Sequence, residues 1–208
     1  MLELAVTSFV TLFVILDPLG NVPIFLAITP RADHAERQSI ALRGTLVAGA
    51  VLVVFGLAGE FLLRGLGITL PAFRIAGGIL LLLLAVEMVF ARHSGLRTTT
   101  TGEEQEAVRR DDVAVFPLAV PLLAGPGAMA SMLLLMGDAA GRVVDKAVVL
   151  GVLGLVMTAT WIILVLGTRI LGLIGVTGIN VLTRVFGIVL SALAVQYVID
   201  GIRSVVGG

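Results

Sequence analysis

The stretch that decides the fold is DPLGNVP, Asp17 to Pro23. It lies between LAVTSFVTLFVIL (Leu4 to Leu16) and IFLAIT (Ile24 to Thr29), so a carboxylate, two prolines, a glycine and an asparagine interrupt a run long enough to cross a bilayer. Proline lacks an N–H and clashes with the carbonyl four residues back. Glycine accepts backbone conformations that other residues avoid. The first hydrophobic helix is therefore expected to break near its middle. Such a break leaves N–H and C=O groups unpaired, which hydrocarbon tolerates only where the backbone is buried in protein or faces a wet cavity.

Composition places the whole chain in a membrane. Of 208 residues, 58% are hydrophobic and 13% charged, with a mean hydropathy of +1.12; soluble domains carry about 25% charged residues. The net charge is zero, which leaves no electrostatic footprint for nucleic acid. Cysteine is absent, so disulfides and thiolate metal sites are excluded. The two histidines, His34 and His93, fall in polar loop segments and make a poor metal site. No P-loop pattern is present, so ATP coupling is not expected. The N-terminus, MLELAVTSF, lacks a basic n-region and a small-residue cleavage site, so the first apolar segment is expected to remain as a span.

A spanning helix needs about 20 apolar residues. Six segments qualify: Leu2 to Ile28, Ala41 to Leu62, Ala72 to Phe90, Val113 to Met136, Val143 to Leu166 and Ile179 to Ile199. Between the third and fourth runs the one long polar segment, Ala91 to Asp112, which reads as a linker. Orientation follows the lysine and arginine bias. Nine basic residues (Arg31, Arg37, Arg43, Arg92, Arg97, Arg109, Arg110, Arg169, Arg184) fall on one side, and five (Arg64, Arg74, Arg142, Lys146, Arg203) on the other. That predicts a cytoplasmic linker and both termini outside.

The fourth segment carries its own interruption, LAGPGA. Asp17-Pro18 matches Gly125-Pro126, Leu66-Gly67-Ile68-Thr69 matches Ile174-Gly175-Val176-Thr177, Arg74-Ile75-Ala76-Gly77 matches Arg184-Val185-Phe186-Gly187, and Ala85-Val86-Glu87 matches Ala194-Val195-Gln196. The offsets are 108, 108, 110 and 109. The expected architecture is thus all-α, with six transmembrane helices as two three-helix repeats, residues 1–90 and 113–208, joined by the cytoplasmic linker 91–112. A repeat with an odd number of spans inserts its second copy upside down, as in many secondary transporters.

The two breaks are expected to meet near the membrane midplane and form a binding site. Helices that restart after Pro18 or Gly20, and after Pro126, present N–H groups and a partial positive charge to a substrate carboxylate. Asp17 would pair with an ammonium group, a sodium ion or a proton; alternatively it caps the restarted helix or pairs with an arginine. A mid-membrane carboxylate costs about 2.5–3.5 kcal/mol even on the lenient insertion scale, which favours a functional role. The candidate substrate-binding residues are Asp17, Gly20, Asn21, Gly125 and Gly127, with Pro18, Pro23 and Pro126 shaping the backbone. Pro117 and Pro121 read as structural, Pro117 where a helix would start.

Three further residues are candidates for ion coupling. Glu87 is charged where its repeat counterpart, Gln196, is neutral. Arg74 and Arg184 form a matched pair that would anchor their helices at opposite surfaces, or supply a partner for Asp17. Glu60 and Asp200 sit near span ends and read as interfacial. Ala76, Gly77 and Gly78, with Gly187, Ser191 and Ala194, form small-residue faces suited to close helix packing. Ser131, Thr158 and Thr160 would line a path or bond their own helix backbone, and Trp161 reads as packing within the fifth span.

At DPLGNVPIF (Asp17 to Phe25) and PLAVPLLAGPGA (Pro117 to Ala128) the sequence resembles the MarC family, also known as the neutral amino acid transporter family, and the layout matches over nearly the whole chain. The resemblance implies a six-helix inner-membrane protein of prokaryotes that moves small neutral amino acids such as glycine and alanine on an ion gradient. The expected partners are a small-molecule substrate and the lipid bilayer, with homo-oligomerisation left open. No cofactor is expected beyond a coupling sodium ion or proton. The alternative is a channel, sensor or accessory subunit, although no continuous polar stripe is present. An intramembrane enzyme is disfavoured: Asp17 has only Asp200 as an aspartyl partner, and no span holds a histidine to activate a serine.

Overall fold

The computed structural model describes residues 1–90, 113–139 and 141–206. The linker expected at 91–112, with His93, lies outside the described residues. Among the described residues eight helical segments follow in order: α1 (Leu2–Leu16), α2 (Asn21–Ile28), α3 (His34–Gly65), α4 (Leu70–Phe90), α5 (Ala114–Leu123), α6 (Pro126–Asp138), α7 (Val143–Val165) and α8 (Gly167–Val206). Four of them, α3, α4, α7 and α8, are long and apolar enough to cross a membrane. The count rises to six if the bent pairs α1–α2 (43°) and α5–α6 (60°) each make one span.

Polar residues mark the helix ends. Asp33 caps α3 by accepting the Glu36 N–H at 2.8 Å, an N-cap that satisfies one open donor, and an acid in the first turn also suits the helix dipole. His34 is therefore the first residue of α3 and not a loop residue. After α3 the chain turns through Gly67 at φ 70°, the left-handed C-terminal stop that glycine makes without penalty. Gly175 adopts the same φ of 70° and breaks α8 into 167–174 and 176–206. These are the two glycines that the sequence matched at an offset of 108.

The segment α5 differs from the expected helix. Phe116 and Val120 have extended backbones (φ −131° and −132°), each before a cis-proline, Pro117 and Pro121. Proline removes a donor at 117 and 121 and disfavours helical backbone in the residue before it. The fourth segment is thus irregular over its whole first half and not only at LAGPGA. In α2, by contrast, Pro23 sits in the first turn, where its missing N–H would have had no helical acceptor.

Helices α4 and α8 form the central antiparallel pair. A Cβ on Gly78 would lie 2.7 Å from the Ala194 carbonyl oxygen and 2.7 Å from Val198; one on Gly187 would lie 3.0 Å from the Ala85 carbonyl oxygen and 2.9 Å from Val89. Of the small residues expected to pack, Gly78, Gly187 and Ala194 meet here, Gly77 faces Ala130 and Leu134 of α6, and Ala76 is exposed. Helix α6 runs antiparallel to α4, with Gly127 against Leu81 and Leu84 at one end and Gly137 against Leu70 at the other. Helix α1 runs antiparallel to α8, as the contacts of Phe13 with Phe186 and of Asp17 with Thr183 require. Helix α3 packs on α5 and α6, and α7 packs on α1. The core between them is apolar, with Leu12, Phe25, Leu81, Met132, Leu134 and Ile179 fully buried. Outward faces are apolar too, with Leu46, Phe61, Leu173 and Ile188 exposed, as expected where the surroundings are lipid.

The close α4–α8 contact makes a direct prediction. Gly78→Leu forces the pair apart and lowers stability by about 1–3 kcal/mol, the usual cost of overpacking. Gly151→Leu, whose Cβ meets nothing within 4 Å, leaves it unchanged. Thermal denaturation of the detergent-solubilised protein, followed by loss of the monodisperse peak, checks the pair.

Candidate functional site

The first break is held together by its own polar residues. Helix α1 ends as Asp17 turns left-handed (φ 42°, ψ 64°), a conformation aspartate tolerates better than most residues. Asp17 is fully buried. Its Oδ1 accepts the Gly20 N–H at 3.1 Å, and the Thr183 hydroxyl of α8 donates to Oδ2 at 3.1 Å. Asn21 Nδ2 donates to the Leu16 carbonyl at 2.7 Å, satisfying one of the acceptors that a helix C-terminus leaves open. Gly20 has no space for a side chain: its Cβ would stand 2.1 Å from Asp17 Oδ2 and 2.8 Å from Thr183 Oγ1.

This arrangement corrects part of the sequence reading. The start of α2 does not wait open for a substrate carboxylate, because the chain's own carboxylate already takes the Gly20 N–H. Asp17 caps the restarted helix, the structural alternative above. Arg74 is not its partner: it forms an ion pair with Asp138 at the end of α6, and the guanidinium is largely covered rather than reaching out into solvent. Arg184 follows Thr183 on α8 and is exposed. Glu60 pairs with Arg64 on its own helix at 2.7 Å. Glu87 is 8% exposed on α4, whereas its counterpart Gln196 is exposed and donates to Asp200 at 2.8 Å.

The second break is different. Gly125 is the N-cap of α6 with extended backbone (φ −77°, ψ 172°), and no side chain caps that helix. A side chain on Gly125 would meet the Pro121 carbonyl oxygen at 2.6 Å, so the irregular α5 lies tight against the helix start. Pro126 at the first position carries no N–H. Met129 donates to the Gly125 carbonyl at 3.0 Å, but the N–H groups of Gly127 and Ala128 have no acceptor among the described residues. A small cavity of about 30 Å³ opens beside them, lined by Gly125, Pro126, Gly127, Ala128, Ile15 and Leu84 among others. It exceeds the roughly 10–15 Å³ that one water needs, and is too small for an amino acid without some opening.

Gly125, Pro126 and Gly127 are therefore brought together at this cavity with the end of α1, through Ile15. Asp17, Gly20 and Asn21 are one turn away and do not line it. A larger groove of about 370 Å³ lies between α3 and α7. Its threonines, Thr45 and Thr158, donate to carbonyls of their own helices, and Trp161, which also lines it, has a buried N–H without a partner. The smaller cavity, with two free N–H groups at a helix start, is the better place for a polar solute. Thr183 escaped the sequence reading because it meets Asp17 only through tertiary packing, 166 residues away.

Stability separates the roles at the first break. Asp17→Asn keeps an oxygen for the Gly20 N–H and changes stability little. Asp17→Ala removes the cap and costs about 0.5–2 kcal/mol. Gly20→Ala is at least as damaging, since its methyl group enters the carboxylate. Melting temperatures of the three variants in one detergent check that order.

Comparison with known proteins agrees with this architecture. A model described as MarC family integral membrane protein matches residues 2–206. A UPF0056 membrane protein of Methanocaldococcus jannaschii is 38% identical over 202 residues, 97% of each chain. The UPF0056 inner membrane protein YhgN of Escherichia coli is 35% identical over 199 residues, 95% of each chain. The UPF0056 membrane protein YvbG of Bacillus subtilis is 31% identical over 203 residues, 98% of this chain and 96% of that one. No solved structure matches the chain. With apolar helices throughout and a family match from end to end, the chain belongs to the MarC family of integral membrane proteins.

Proposed function

We propose that this protein is a secondary active transporter of small neutral amino acids, of the glycine and alanine type, in a prokaryotic inner membrane. The observation that carries the reading is the uncapped start of α6, with two unpaired N–H groups beside a small cavity at the second helix break. A small zwitterion suits it once the cavity widens: the carboxylate takes the N–H groups of Gly127 and Ala128, and the close walls favour a hydrogen or methyl side chain over a larger one. Asp17 is assigned to the coupling ion, a proton or sodium, since its position in the cap sets it apart from the cavity. Glu87, buried on α4 one turn from Leu84, is the second coupling candidate.

The reading includes an inverted repeat of 1–90 and 113–208, with the linker in the cytoplasm and both termini outside. Reciprocal contacts support it. Gly78 approaches Ala194 and Val198 as Gly187 approaches Ala85 and Val89, which pairs the contacts at a spacing of 109 positions and sets Gly78, not Gly77, opposite Gly187. Two-fold-related elements touch in this exchanged way. Alternating access then follows from one half rocking against the other around the site.

Uptake of radiolabelled alanine and glycine into proteoliposomes, with proton and sodium gradients imposed separately, tests the reading. Gradient-driven uptake is expected. Asp17→Asn abolishes the coupling while the protein stays folded. Gly127→Val, whose Cβ would stand 3.0 Å from Leu84, lowers uptake at least about tenfold, the equivalent of about 1.4 kcal/mol. Absence of uptake by folded protein under either gradient would overturn the amino-acid assignment.

A further inference from the structure

Six hydroxyls of this chain bond the backbone of their own segment, and three fully buried ones do not. Thr29, Thr45, Thr158, Thr160, Ser191 and Ser204 each donate to the carbonyl four residues back, which is how hydroxyls settle in apolar helices. Ser8, Thr11 and Ser131 do not. All three are fully buried, and none of their oxygens has a hydrogen-bond partner among the described residues. Leaving such a group unsatisfied costs about 1–3 kcal/mol. Buried hydroxyls of this kind take water or a polar atom of a ligand as partner.

The three lie on facing helices. Helix α1 is antiparallel to α8 and α8 to α4, while α6 is also antiparallel to α4, so α1 and α6 run in opposite directions. Ile15 of α1 shares the cavity with Gly127 and Ala128 of α6. Moving four residues back along α1 and three or four forward along α6, about 6 Å on each helix, brings Thr11 level with Ser131. Ser8 follows one turn further. The Tyr197 hydroxyl of α8 lies close to Thr11 without a well-formed hydrogen bond to it. Beyond it, at the end of α6, sits the Arg74–Asp138 ion pair, with Asp200 in electrostatic range. Arg74 belongs to the first half of the chain and Asp138 to the second.

We infer that the seam between α1 and α6 is a passage for water and small hydrogen-bonding solutes. It leads from the uncapped start of α6 past Ser131, Thr11 and Ser8, and the Arg74–Asp138 pair closes its outer end. The solute class is one whose donors and acceptors neutral hydroxyls satisfy in turn, small enough to pass between Thr11 and Ser131. The ion pair joins the two halves at that end, so breaking it opens the passage toward the face that carries the turn 66–69 and the end of α8. This deepens the transporter reading and rests on it for purpose.

The chain has no cysteine, so single-cysteine variants need no altered background. Ser8→Cys, Thr11→Cys and Ser131→Cys are close in size to the native residues. Val6→Cys and Val10→Cys, on the exposed apolar face of α1, are the controls. Each is reconstituted in liposomes and treated with a membrane-impermeant cationic methanethiosulfonate. The three seam variants are expected to react faster than the controls, and Asp138→Asn, which weakens the ion pair, speeds them by about tenfold, or about 1.4 kcal/mol of closure. Seam variants that react no faster than the controls in both backgrounds would overturn the passage. The unmodified protein supplies a second reading: radiolytic oxidation of Tyr197, the single tyrosine, marks water in the seam, and an unoxidised Tyr197 counts against it. Labelling reads water access whatever the solute, so a seam that labels in a protein that carries no alanine keeps the passage and removes the amino-acid assignment.

Discussion

An interrupted helix in an apolar setting must satisfy its own backbone, and this requirement organises the molecule. At the first break the chain does so with side chains: the Asp17 carboxylate takes the Gly20 N–H, the Asn21 amide takes the Leu16 carbonyl, and Thr183 fastens the whole turn to α8. At the second break it does not, and the N–H groups of Gly127 and Ala128 face a cavity. The two interruptions look alike as sequence yet differ in what they leave available. One is closed by a carboxyl side chain. The other is open and carries the positive end of a helix.

Glycine at the α4–α8 contact supports this arrangement from behind. Backbones come close enough at Gly78 and Gly187 that any side chain would meet a carbonyl oxygen or a neighbouring residue. In a bilayer, where lipid removes most of the hydrophobic gain of helix association, such close packing is the main source of cohesion. The pair also joins the two halves of the chain, so it is the natural axis for any motion between them. The Arg74–Asp138 pair joins the same halves at one end by charge rather than shape. Packing of this kind suits a fixed pivot, while a partly exposed ion pair suits a contact that is made and broken.

Much of the fold was legible in the residues. The four uninterrupted spans, the two breaks and the small-residue faces follow from hydropathy, proline and glycine, because a bilayer leaves a helix few alternatives. The matched glycines at 67 and 175 both take a φ of 70°. The irregular course of α5 was less legible: two prolines four residues apart are compatible with a kinked helix, and only the packed chain shows extended backbone before each. The candidate site was legible in part. Gly125, Pro126 and Gly127 line the cavity, whereas Asp17 holds the Gly20 N–H and Asn21 the Leu16 carbonyl.

Sequence alone determined that this is a helical membrane protein with two broken segments and which residues break them, since those are consequences of local backbone chemistry and of apolar length. Tertiary structure decided which break stays open. It matched Asp17 with Thr183 and Arg74 with Asp138, and it left Ser8, Thr11 and Ser131 in the interior without hydrogen-bond partners among the described residues. Those outcomes depend on how helices far apart in the chain are registered against one another. Hydropathy is blind to register, because every face of these helices is apolar and many pairings would bury the same surface.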